Sequence, residues 1–397
     1  MDTELRVAGA SGATGERGVL MDGRRIRLVQ IAYGMGVGGM ERVVADLCRC
    51  LDPLRYDVAV YCTHVKGLLG AELEADGVPV FHRPVRRRAD HWLRPARIFR
   101  FLREHRPDIV HTQNTAALLD SALAARAAGV PVLVHTDHSR RYPDRRRYMI
   151  AERWMSGLTD AFCAVSNHTR GELARFEGIP AARIEVVYNG CDLPFVPGEA
   201  DRRDVRASLG FDDETPVIGM ASRVEWQKGH DLLVAAMPRI LARIPSARAV
   251  IVGGGSKEPE VRWQIGRLGL EGKILMTGVR KDVPRLMAAF DLFVMTSNFE
   301  GMPIAALEAM AVSLPIVSTA VGGVPEMVED GVTGKLIEGR DPATVAEEVV
   351  RLLVDRDAMR RMGKAGRRRY EQRFRVASMV NAYDAIYRRC LEARSGR

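Results

Sequence analysis

Short apolar runs alternate with stretches of helical periodicity along nearly the whole chain. In the first half, Ile26 to Tyr33, Asp57 to Cys62, Ile109 to His111 and Val130 to Thr136 read as strands. Glu41 to Leu51 and Ala116 to Ala128 read as helices between them. Such alternation predicts parallel strands joined by crossover helices. The pattern breaks near Val187–Glu199, where Tyr188-Asn189-Gly190, Pro194, Pro197 and Gly198 punctuate a polar stretch, the predicted interdomain linker. It then restarts, with strands over Val217 to Ser222, Ala249 to Gly253 and Ile274 to Thr277 and a helix over Asp231 to Arg243. An amphipathic, Arg-rich helical region runs from about Ala343 to Cys390. The expected fold is α/β: two Rossmann-like doubly wound domains, 26–195 and 199–375, facing each other across a cleft. A flexible leader over 1–25, within which Met21 is a second candidate start, precedes them, and a C-terminal helix over 376–397 follows.

The stretch Asp291 to Gly334 carries the clearest chemistry. An apolar strand (Leu292 to Met295) ends in Thr296, Ser297 and Asn298, after which Glu300, Gly301 and Pro303 open a helix bearing Glu308. Proline in a first helical turn has no intrahelical donor to lose. A helix N-terminus attracts anions, and carboxylates accept hydrogen bonds from hydroxyls. The pattern therefore suits a polar ligand that bears both. A second strand (Pro315 to Ser318) and a Gly322-Gly323 turn follow.

Composition narrows the class. The 397 residues are 47% hydrophobic and 27% charged, which suits a soluble globular chain of two domains. No apolar run approaches the roughly 18–20 residues of a membrane span, and residues 1–25 lack the apolar core of a secretory signal. Six cysteines without CxxC pairing read as reduced thiols of a cytosolic protein. The net charge is +9. Basic residues gather at Arg83 with Arg86–Arg88, at Arg140–Arg141 with Arg145–Arg147, and at Arg367–Arg369, the last read as solvated surface. The first two clusters are interleaved with His91, Trp92, Leu93, Tyr142, Tyr148 and Trp154. Basic and aromatic residues together suit an anionic membrane surface or a phosphate-bearing acceptor. Nucleic acid is the rival partner, but no nucleic-acid module is visible and none is expected to bind.

Arg223 and Lys228 flank a turn directly after a strand, beside Gly229, as an anion site requires. Gly36 to Gly39 form a loop after the first strand that opens a helix, a second approach for phosphate. Glu300, seven further residues and Glu308, then EAMA, a proline-led strand and VGGVPE resemble the nucleotide-sugar site of retaining glycosyltransferases of family four, two-domain enzymes of GT-B architecture. GVGGMER (36–42), DIVHTQNT (108–115), VHTDHS (134–139), AVSNHTR (164–170), VVYNGCD (186–192), SRVEWQKG (222–229) and IVGGG (251–255) follow in the same order. The resemblance spans about residues 26 to 375. One departure is Ser313, where the family usually has glycine.

The resemblance implies a hexosyltransferase that uses a nucleotide-diphosphate sugar without a divalent metal or other cofactor. Arg223 and Lys228, with Gly38 and Gly39, would bind the diphosphate. Glu308, with Gly253 and Gly254, would bind the ribose and base, and Gly301, Met302 and Pro303 would line the donor sugar. His138 and Glu300 would face the reacting carbon. The acceptor would be a glycan or a lipid-linked sugar in surface polysaccharide synthesis, with the protein cytoplasmic or peripheral at the inner membrane face. The transition state resembles an oxocarbenium ion, so fixed cations aimed at the departing diphosphate are the largest expected contribution. Asp355-Arg356-Asp357 matches a DxD metal motif but sits among helix-like residues. Two carboxylates also fit a hydrolase, which would have no need of the Arg/Lys pair. An epimerase or phosphorylase on the same architecture, and a non-enzymatic basic binding protein, are the other readings.

Overall fold

A computed structural model describes residues 23–83, 93–138 and 140–395. Met21, Arg86–Arg88, His91, Trp92 and Ser139 therefore lie outside the described residues, as does most of the leader. Buried aliphatic runs form two all-parallel sheets. The first holds β1 (Ile26–Gly34), β2 (Tyr56–Val65), β3 (Val80–His82), β4 (Ile109–Gln113), β5 (Val132–Asp137), β6 (Ala161–Ala164) and β7 (Ile184–Val186), in the order β3-β2-β1-β4-β5-β6-β7. The second holds β8 (Val217–Ala221), β9 (Arg248–Val252), β10 (Ile274–Gly278), β11 (Leu292–Met295), β12 (Ile316–Thr319) and β13 (Gly334–Ile337), in the order β10-β9-β8-β11-β12-β13. Strands such as β4, β5, β8 and β11 are buried along their whole length, which is why they read as continuous apolar runs rather than alternating ones.

In each sheet the winding reverses once, between β1 and β4 and between β8 and β11. Loops leaving neighbouring strands in opposite directions open a crevice at those points. The loops after β1, β4 and β5 carry Gly38–Gly39, Gln113–Asn114 and His138; those after β8 and β11 carry Arg223 to Gly229 and Thr296 to Pro303.

The crossings between the halves are specific. Asn189 donates from its side chain to the Met302 carbonyl at 2.9 Å, and Cys191 N–H donates to the Phe374 carbonyl at 3.0 Å. Glu326 accepts the N–H groups of Asn167 and His168 at 2.9 and 2.8 Å, so the AVSNHTR and VGGVPE segments meet. The Arg-rich C-terminal stretch is three helices, Pro342–Val354, Arg356–Arg373 and Val376–Ser395. Asp355 divides the first two by capping, accepting from Ala358 N–H at 2.8 Å. The last helix crosses back to the first sheet, where Tyr387 bonds His111 and Asp384 accepts from Tyr56 at 2.7 Å.

Two expectations are corrected. Arg367 and Arg369 are half-buried and tied to the fold: Arg367 donates to the Ala311 carbonyl, and Arg369 to those of Met327 and Glu326 at 2.8 and 3.0 Å. Only Arg368 of that cluster is exposed. Pro303 is not within the helical turn; it precedes helix Ile304–Ala311 with extended backbone, φ −72° and ψ 120°. All six cysteines are free and five are buried. No described helix is long and apolar enough to cross a membrane.

Candidate active site

Lys228 and Glu300 meet where the second sheet reverses. The ammonium donates to both carboxylate oxygens, at 2.7 and 2.9 Å, and Ser297 Oγ donates to one of them at 2.7 Å. Glu300 is 5% exposed, so its charge is held inside only because this partner is present. The two loops are also zipped through their backbones: Asn298 N–H donates to the Gln227 carbonyl at 2.7 Å, and Thr296 Oγ1 to the Gly229 carbonyl at 2.7 Å. Gly229 adopts φ +62°, and a Cβ there would lie 2.1 Å from the Thr296 carbonyl oxygen. Only glycine fits both demands.

Arg223 leaves the same loop from its other end and is exposed. Gly253 to Gly255 back it. A Cβ on Gly253 would strike the Ser222 carbonyl at 2.0 Å, and one on Gly255 the Val224 carbonyl at 2.4 Å. Gly253 and Gly255 thus let the Arg223 loop lie flat against the loop after β9, whereas a Cβ on Gly254 would face Val279 at 3.1 Å.

Glu308 sits on the second turn of helix Ile304–Ala311, partly open to the cleft. Burial pushes its carboxyl up to about 7, against the pull of Arg42 and with Asp46 adding to the rise. No hydrogen bond or ion pair is recorded for it among the described residues. Arg42 and Asp46 come from helix Gly39–Cys50 of the other half, where Arg42 Nε lies 3.1 Å from both Asp46 oxygens. Gly38 caps that helix with extended backbone, and a Cβ on Gly39 would lie 3.4 Å from Ile304. The two helix N-termini therefore approach each other across the cleft.

His138 follows β5 and is 8% exposed. Its ring Nε2 bonds Gln113 Oε1 at 2.7 Å, and its backbone N–H donates to Asn114 Oδ1 at 2.9 Å. Burial, reinforced by nearby His135, pushes the imidazole down to about 3, so it is neutral. His111 and His135 lie wholly inside the sheet, as expected of strand histidines. Met302 is 4% exposed and turns toward Asn189; Gly301 accepts from Gly323 N–H at 2.9 Å.

Sequence reasoning missed Arg42, Asp46, Gln113, Asn114, Ser297 and Gly322 as parts of this site. A Cβ on Gly322 would fall 1.7 Å from the Glu300 carbonyl oxygen, so this turn seats the Glu300 loop. The i,i+4 spacing of Arg42 and Asp46 was the one available signal. Arg140 is corrected in the opposite sense. Expected at a basic surface, it is buried against Glu152 at 2.6 Å and against Glu177. Arg141 and Arg145 to Arg147 remain exposed, with Tyr148 at 37% and Trp154 at 76%.

Known proteins match this chain throughout. A model described as Glycosyltransferase Family 4 matches residues 37–195, and one described as Glycosyl transferases group 1 matches residues 201–369. The chain is 33% identical over 286 residues to a GDP-mannose-dependent alpha-(1-6)-phosphatidylinositol monomannoside mannosyltransferase of Mycobacterium tuberculosis, covering 68% of this chain and 73% of that protein. It is 25% identical over 378 residues to the UDP-Gal:alpha-D-GlcNAc-diphosphoundecaprenol alpha-1,3-galactosyltransferase of Escherichia coli, covering 91% and 97%. The crystal structure of Anabaena HepE in complex with UDP and glucose superposes with a TM-score of 0.80 at 24% identity, over 91% of this chain and 99% of that one. At that identity the structural likeness speaks for the two-domain GT-B architecture alone.

Proposed function

The chain belongs to the family four glycosyltransferases (group 1), and from that membership we propose retaining transfer of a hexose from a nucleotide-diphosphate sugar to a hydroxyl of a glycan or lipid-linked acceptor. That it is a glycosyltransferase follows from the family and its relatives. The donor and acceptor classes are inferred from relatives that use GDP-mannose or UDP-galactose and act on lipid-borne acceptors.

The observation that carries the site assignment is the Lys228–Glu300 pair at the winding reversal of the second sheet, with Arg223 at the loop's other end. Lysine has three N–H donors. Two are taken by Glu300, which aims the third, and the whole charge, at the crevice. An ammonium fixed before the substrate arrives is suited to a departing diphosphate, because it needs no reorganisation as charge develops, and the exposed Arg223 guanidinium adds charge beside it. No metal is needed to supply that charge, which favours metal-independent transfer. Glu300 has both oxygens engaged, which favours positioning of the lysine over covalent attack on the sugar. His138 and its backbone then face the sugar from the opposite half. An oxygen of the leaving diphosphate takes the acceptor's proton, which keeps the nucleophile and leaving group on one face, as retention requires.

Glu308 accepts the ribose hydroxyls, and the Gly253–Gly254 turn admits the base. The exposed Arg141, Arg145 to Arg147, Tyr148 and Trp154 favour work at the inner, anionic face of a membrane. The free, buried cysteines favour a reducing compartment. An epimerase on the same architecture is not favoured, since the relatives transfer sugars.

A thermal-shift panel of nucleotide diphosphates and their sugars, without metal, tests the reading, because a ligand of the native state alone raises the midpoint. A shift for one diphosphate and its sugars, lost in Lys228→Ala, is expected. No shift with any of them, in folded protein, would refute the donor site. Normal turnover in Arg223→Ala, Lys228→Ala and Glu308→Ala together would refute the residue assignments.

A further inference from the structure

We propose that Gln113 sets the ring tautomer of His138, and thereby makes its Nδ1 a bare acceptor reserved for a hydroxyl of the substrate. This rests on the reading of His138 as facing the reacting sugar. A neutral imidazole carries its one proton on either nitrogen, and the neighbour of one nitrogen decides the chemistry of the other.

The neighbour here is itself locked. Gln113 ends β4 and is fully buried, as are Gln30, His111 and Tyr387. Gln113 Nε2 donates to Gln30 Oε1 at 2.8 Å, and Gln30 Nε2 points to the Tyr387 hydroxyl oxygen at 3.4 Å. The Tyr387 hydroxyl oxygen then lies 2.7 Å from His111 Nδ1, and His111 Nε2 lies 2.8 Å from Thr136 Oγ1. As the two amides stand, every donor along this line meets an acceptor. Rotating the Gln113 amide would set its oxygen against the Gln30 oxygen. Rotating Gln30 as well would need the Tyr387 hydrogen on Gln30 at 3.4 Å and the His111 proton on Nδ1, so these groups can reverse only as a set. The Gln113 oxygen faces His138 at 2.7 Å, where it can only accept, which places the proton on Nε2.

Two further facts fit. His138 Nδ1 is buried and has no hydrogen-bond partner among the described residues. A buried acceptor left unsatisfied is costly, and a substrate hydroxyl that bonds it recovers that cost. The adjacent Asn114 holds the backbone of the same residue from a left-handed conformation, φ +65°, with its side-chain oxygen on His138 N–H. Gln113 and Asn114 thus fix the ring and the main chain of His138 from consecutive positions. The line also reaches Tyr387 on the C-terminal helix, so that helix supports the ring's orientation from the far end of the chain.

The test uses the full-length protein with ¹⁵N-labelled histidine, with Gln113→Leu, Gln113→Glu and His138→Ala alongside. His138→Ala identifies the resonances. In the wild type, His138 is expected as the Nε2–H form, unchanged between pH 6 and pH 8 (roughly the working range) because burial keeps it neutral. Gln113→Leu is expected to mix the tautomers and lower kcat/KM by about tenfold, the worth of one buried hydrogen bond. Gln113→Glu places a carboxylate on Nε2–H and raises the ring's proton affinity. Its kcat/KM should gain an acid limb absent from the wild type and recover toward high pH. A wild-type His138 in the Nδ1–H form, or a Gln113→Glu pH profile parallel to the wild type, would overturn the proposal. If His138→Ala transferred sugar at the wild-type rate, the reading of His138 would fall instead, while the wild-type spectrum would still decide the tautomer.

Discussion

Replacing Glu308 with glutamine should make the ligand-free protein more stable and the enzyme worse. Burial raises the Glu308 carboxyl from 4.5 to about 7. Below pH 4.5, folded and unfolded chains both hold its proton and the residue costs nothing. Between that value and about 7 the unfolded chain has released the proton while the folded chain keeps it, so stability falls as pH rises. Above about 7 the cost is complete. At about 1.4 kcal/mol per pH unit the gap sets a ceiling of about 3.5 kcal/mol. The carboxyl is partly open to the cleft and faces Arg42, so about 1–2 kcal/mol is the working figure. Urea denaturation of the wild type and Glu308→Gln at pH 5.5, 7 and 8.5 (roughly spanning the transition) measures it. The variant's advantage should widen with pH and level off above neutrality. Donor binding should move the other way. The wild type gains affinity as pH rises through about 7, because ribose hydroxyls donate to the ionised carboxylate. The glutamine variant should lose about ten- to a hundredfold in affinity, the range for a hydrogen bond to a charged group. A stability gap independent of pH, or undiminished donor binding by the variant, would refute the reasoning.

Lys228→Ala should destabilise the fold by about 3 kcal/mol by stranding buried Glu300, and the double variant Lys228→Ala/Glu300→Gln should recover much of that loss in denaturation curves. Gly322→Ala should abolish most turnover, since its Cβ would fall 1.7 Å from the Glu300 carbonyl oxygen. Gly331→Ala, at φ +74° with open space around it, is the control and should cost only the left-handed conformation, about 1–2 kcal/mol. Ser313→Gly should raise stability by about 0.5–1 kcal/mol with unchanged kcat, because Ser313 holds φ +62° with an exposed side chain.

The strands were legible because parallel strands covered on both faces are short apolar runs, and their C-terminal ends are where α/β folds place chemistry. Arg223, Lys228, Glu300 and His138 all stand on such ends. What the chain's order hides is which partner waits elsewhere. Arg140 and Arg141 look alike in sequence, yet only Arg140 meets Glu152 and Glu177, which lie on separate later helical segments. Arg367 and Arg369 were misjudged for the same reason, their acceptors being backbone carbonyls at distant helix ends. Gln113 read as a polar residue closing a strand; its role depends on Gln30 and on Tyr387, residues from opposite ends of the chain. Ser313 was visible as a departure from the family, but its left-handed backbone was not.

The division of labour between the halves follows from how each is wired. Lys228 is tied to Glu300, itself held by Ser297, within the second domain, and His138 to Gln113 and Asn114 within the first, so neither set needs the other in order to be in place. Arg42 and Glu308 differ: they face each other across the cleft, interact through charge, and share no hydrogen bond. A substrate that draws the halves together changes their separation more than any bond inside either half. Closer approach of Arg42 favours the ionised form of Glu308, which is also the form that the proposed ribose contact requires. On the proposed site, donor binding and closer approach of Arg42 would favour release of the same proton, from a carboxyl that burial raises to about 7.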